Sequence, residues 1–78
     1  MTRRDDQFSI SGETFTRTWT GDRYDWTSSD GRLVCFRVER SYRATLDGYA
    51  STKTWPTLTA AMVALVISRE RYDQRRAA

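Results

Sequence analysis

Apolar and polar residues alternate in short runs from Phe8 to Trp55, and from Trp55 to Tyr72 the alternation gives way to a three-and-four spacing. In that last stretch, WPTLTAAMVALVISRERY, a turn of about 100° per residue sets Leu58, Ala61, Met62, Leu65, Val66 and Tyr72 on one stripe. This predicts an amphipathic helix over roughly 58–74. Thr57 can cap it by accepting an orphan N–H of the first turn, and Pro56 stops any helix upstream. Arg71, Arg75 and Arg76 form a basic tail in the last turns, where positive charge complements the helix dipole. Ala60, Val63 and Ile67 lie off the buried stripe. They are expected either to form a partner contact, such as a two-fold homodimer seam, or to be covered by Phe8 and Ile10 of the N-terminal strand.

Before the helix the pattern predicts strands at Phe8–Ser11, Glu13–Thr20, Arg23–Ser28, Arg32–Arg40, Tyr42–Asp47 and Tyr49–Trp55. Turn signals separate them: Gly21-Asp22 as a two-residue hairpin, Ser28–Gly31, a reversal at Ser41, and Asp47-Gly48. Alternation assigns the faces. Phe15, Trp19, Tyr24, Trp26, Val34, Phe36, Val38, Tyr42, Ala44 and Leu46 belong under the helix, with Arg17 an inconsistency among them. Thr16, Thr18, Arg23, Asp25, Thr27, Cys35, Arg37, Arg43 and Thr45 face solvent. The fold class is α+β: a single domain over 1–78, an antiparallel β-meander of four to six strands (roughly 8–55) with one C-terminal helix on one face.

Composition narrows the function. Residues that are 38% hydrophobic and 29% charged suit a folded chain, and ten aromatics among 78 residues compensate for a small core. The single cysteine cannot form an internal disulfide, which points to a reducing compartment. The start, MTRRDDQFSI, lacks a signal-peptide apolar run, and Ala60–Ile67 is too short to cross a bilayer. A cytoplasmic protein with no membrane association is expected. With no histidine, no nucleophile–base pair and no glycine loop for phosphates, an enzyme, a cofactor or a bound metal is not expected.

A binding role remains. The net charge is +3, the pI is about 9.5, and nearly every basic residue is arginine, whose planar head suits carboxylate and phosphate alike. Arg23, Arg37 and Arg43, with the hydroxyls of Thr16, Thr18 and Thr45, are the candidate binding set on the open sheet face. The competing expectation pairs those arginines across strands with Asp25, Glu39 and Asp47.

Two resemblances add to this. The stretch Arg32–Leu65, strands followed by Trp55 and a helix reading TLTAAMVA, resembles the Apetala-type (ethylene-response-factor) DNA-binding domain and its relatives in phage integrases. That resemblance implies a sheet inserted into the major groove, with Arg37 and Arg43, and Arg23 or Trp26, as contacts. In type, a one-domain cytoplasmic protein with an aromatic-rich sheet and no catalytic set is similar to phage-encoded inhibitors, including anti-CRISPR proteins. This implies a non-catalytic inhibitor of phage or mobile-element origin that occludes a host protein or ribonucleoprotein complex, such as a CRISPR effector. The alternative is a sheet-first binder of double-stranded DNA.

Overall fold

The computed structural model describes residues 6–77. Six strands form one antiparallel sheet in chain order: β1 (Gln7–Ile10), β2 (Glu13–Trp19), β3 (Tyr24–Ser28), β4 (Leu33–Val38), β5 (Ser41–Leu46) and β6 (Tyr49–Ala50). Helix α1 (Leu58–Ala77) follows and packs on one face of the sheet. The α+β meander with one C-terminal helix is therefore as the pattern predicts. Among the described residues no helix is long and apolar enough to cross a membrane.

Tight turns set the register. Ser11-Gly12 and Asp47-Gly48 link the pairs Ile10–Glu13 and Leu46–Tyr49, and all four turn residues have positive φ. That geometry matches the right-handed twist of the strands it joins. Glu39-Arg40 makes a third two-residue turn, with Glu39 at φ 57°. The expected two-residue turn at Gly21-Asp22 is instead a four-residue loop, because Trp19–Tyr24 is the last strand pair. The Thr20 N–H donates to the Arg23 carbonyl at 2.9 Å, and the Thr20 hydroxyl to Asp22 at 2.9 Å, which satisfies the wider loop. The expected strand Tyr49–Trp55 is also shorter. The Lys53 N–H donates to Ser51 Oγ at 3.1 Å and turns the chain off the sheet edge, and it rejoins β5 only where Trp55 bridges Tyr42.

Thr57 caps α1 as expected, its Oγ1 accepting from the Ala60 N–H at 3.2 Å. Ala61, Met62, Leu65 and Val66 are buried against Phe15, Leu33, Cys35 and Ala44, with Ile10, Trp26, Tyr42, Leu46, Trp55 and Leu58 packed around them. Tyr72, expected on the buried stripe, is 43% exposed. By Arg69 the helix has already reached the turn at Asp30, and Asp73 meets Arg32, which also holds Asp47, so Tyr72 lies near the strand ends and away from the core.

One strand faces opposite to expectation. Leu33 and Cys35 are fully buried under the helix, whereas Val34, Phe36 and Val38 are only half-buried. The cause is register. The two-residue turn pairs Leu33 with Leu46, Cys35 with Ala44 and Arg37 with Tyr42, and directly paired residues share a face. Tyr42, Ala44 and Leu46 face the helix, so their partners do too.

Candidate binding face

The face away from the helix is built in rows by strand register. Gln7, Thr16, Thr27, Val34, Thr45 and Ala50 are successive partners across all six strands, and Thr18, Asp25, Phe36 and Arg43 form a second row beside them. Val38 and Ser41 close the row next to the Glu39-Arg40 turn. The centre of this face is an apolar stripe along β4, namely Val34, Phe36 and Val38, flanked by threonines. The single helix of the described residues lies on the other side, and among the described residues no second layer packs on this face.

Of the predicted set, Arg23, Arg43, Thr16, Thr18 and Thr45 lie on or beside this face, and Arg37 does not. Arg37 points to the helix side, exposed beyond the helix start, with its Nε donating to the Glu39 carbonyl at 2.9 Å. Arg23 lies flat over Phe36, its guanidinium carbon 3.8 Å from the ring centroid, while its Nε donates to Asp25 at 2.9 Å. It is thus both a cation–π lid on Phe36 and half of an ion pair. Arg23 does pair with Asp25, but two residues along the same chain segment and not across strands as expected, and Asp47 pairs with Arg32. Arg43 is exposed opposite Phe36, with no ion pair among the described residues.

The other predicted residues scatter. Ala60 and Val63 are half-buried on α1, Ile67 is 43% exposed, and of the two residues expected to cover them Ile10 packs on the core while Phe8 is 39% exposed. Arg71, Arg75 and Arg76 are exposed on the last turns, with Arg76 5.7 Å over the Tyr72 ring. Arg17 does lie on the apolar side. Its guanidinium stands 4.5 Å over Tyr24 and 5.9 Å from Trp26 and binds Asp6 at 2.7 Å, so aromatic faces and a carboxylate stabilise it there. Trp19, expected in the core, is 56% exposed at the sheet end and meets Tyr24 in a tilted contact, with centroids 4.9 Å apart and ring planes at 60°.

Cys35 is fully buried, so its thiol is held away from solvent. Burial pushes its thiol up to about 12, far from the thiolate form needed for attack. What the open face offers is contact: an apolar centre, hydroxyls around it and, in Arg43, a guanidinium with no ion pair among the described residues. The residues missed from the sequence are Val34, Phe36 and Val38 themselves. Their signal was the parity of the Glu39-Arg40 turn. Compared with protein-family models, curated proteins and solved structures, the chain matches none of them.

Proposed function

We propose that this is a non-catalytic binding protein that seats the open face of its sheet on a protein surface of a larger complex. The observation that carries the reading is the half-buried Val34–Phe36–Val38 stripe on the sheet face away from the helix, with Arg23 lying over Phe36. A row of apolar side chains ringed by threonines and one exposed arginine is the composition of a protein contact, with an apolar centre and a polar rim. The sheet-first DNA reading is weakened by the same geometry, since Arg37 leaves the face and Arg23 is already held by Asp25 and Phe36. A phosphate backbone needs several free cations on one surface. With its resemblance of type to phage-encoded inhibitors, the protein is read as acting in the cytoplasm, blocking a host nucleic-acid-handling complex of the CRISPR-effector kind by occlusion.

The test is a titration of the protein into CRISPR effectors as they bind target DNA, alongside free duplex DNA. Loss of target binding by the effector is expected, with Phe36→Ala needing at least about tenfold more protein for the same effect, since truncating a central aromatic removes a large share of contact energy. Free duplex should run unretarded at about 150 mM salt. Retardation of free duplex that Arg43→Glu abolishes would establish the DNA binder in its place.

A further inference from the structure

A groove of 670 Å³ opens on the helix side of the sheet, between α1 and the chain segment that leaves β6. It exists because the Ser51 hydroxyl, accepting from the Lys53 N–H just past the last β5 hydrogen bond, bends residues 52–54 away from β5, so that Lys53 and Trp55 stand across from the helix. Its floor is aliphatic, from Leu46 and Leu65, and its walls carry Tyr49, Trp55, Ile67 and Tyr72. Three of those four are large apolar side chains left in water: Tyr49 is 81% exposed, and Ile67 and Tyr72 are each 43% exposed. Converging on one concave surface of ligand-binding size, they form the kind of patch that marks a docking site.

Charge identifies the occupant. Lys53 and Arg71 stand on opposite walls, and neither has an ion pair among the described residues. The one carboxylate lining the groove, Asp47, is held by Arg32 through both oxygens, at 2.9 and 3.1 Å, and so does not neutralise them. We propose that the groove docks a short acidic segment of a protein partner. One aromatic or large aliphatic side chain would enter between Trp55, Ile67 and Tyr72, and carboxylates on either side would meet Lys53 and Arg71. The placement of charge favours a peptide over a nucleic-acid strand: one cation is on the helix wall and one on the opposite segment, where carboxylates flanking a single side chain can reach both, instead of a run of cations along a backbone path. The groove and the open face lie on opposite sides of the sheet, and this inference does not rest on the open-face reading.

The experiment uses the full chain and labelled peptides with glutamates on both sides of a central tryptophan, phenylalanine or leucine, followed by anisotropy and by amide chemical shifts. Saturable binding of at least one peptide is expected, with shifts confined to residues 46–55 and 64–72. Arg71→Glu, Lys53→Glu and glutamine-flanked peptides should each weaken it at least about fivefold, as expected where both partners of an ion pair are partly desolvated. Ile67→Ser should weaken it without changing the helix signal in circular dichroism, and Phe36→Ala should leave it unchanged. The proposal is overturned if none of the three peptides binds, if shifts fall on the open face, or if the charge reversals have no effect. It is equally overturned if oligothymidylate occupies the groove more tightly than the peptides, which would make it a nucleic-acid site.

Discussion

Among the described residues Glu13 is the one charged side chain the fold buries, and its partners account for it. The Ser29 hydroxyl donates to Oε1 at 2.7 Å and the Ser29 N–H at 3.1 Å, while Arg69 reaches Oε2 at 2.9 Å from the helix. The Ser29 hydroxyl, then Arg69 and the Ser29 N–H, outweigh the cost of burial and hold the carboxyl below its ordinary 4.5. Asp30 is likewise lowered from 3.8: burial pushes it up, but Ser28, the Arg32 N–H and Arg69 together prevail. A carboxyl whose folded pKa is depressed stabilises the fold above its unfolded pKa and loses that contribution as pH falls through the folded one. Urea unfolding should therefore be nearly flat from neutral pH down to the ordinary value of 4.5 for Glu13 and lose stability below it. Glu13→Gln should lower stability at neutral pH by about 1–3 kcal/mol and flatten the acid limb, as the difference between the two urea series will show.

At the scale of elements, β4 carries the lesson. LVCFRV is apolar at almost every position, so the strand contains two credible faces, and side-chain bulk favours Val34, Phe36 and Val38. A reversal at Ser41 pairs even positions of β4 with even positions of β5, whereas the actual Glu39-Arg40 turn pairs odd with even, and this single step turns the whole strand over. The other strand faces were legible because β2, β3 and β5 each combine one apolar and one polar series, and the helix because its stripe and Thr57 cap agree. The site was legible only as a face, since Arg37 moved with β4. The inverted strand makes a sharp prediction from identical substitutions at neighbouring residues. Leu33→Thr leaves a cavity and a buried hydroxyl and should cost about 3–4 kcal/mol. Val34→Thr, between Thr27 and Thr45 on the open face, should cost less than about 1 kcal/mol. Equal losses at both positions in chemical denaturation would contradict the register.

For the molecule as a whole, the charges show how one helix is held on one sheet. Arg69 ties α1 to Glu13 and Asp30, and Asp73 ties it to Arg32, which also holds Asp47, so the helix end is fixed to the turns beyond β2, β3 and β5. Among the described residues the core beneath is eight buried side chains, four from the sheet and four from α1, with no further layer on either half. A domain of this size has a stability of about 4–12 kcal/mol, and losing the helix removes half the core, so lifting α1 and unfolding the sheet should be one event. Cys35 reports on this directly, because it is fully buried at the centre of the interface and its thiol is pushed up to about 12. Alkylation in native buffer should be slow, and the opening free energy derived from its rate should equal the global value from urea unfolding within about 0.5 kcal/mol. Arg69→Met should lower both by the same amount. Labelling markedly faster than global unfolding would show that the helix undocks alone, exposing the buried face of the sheet as a second surface.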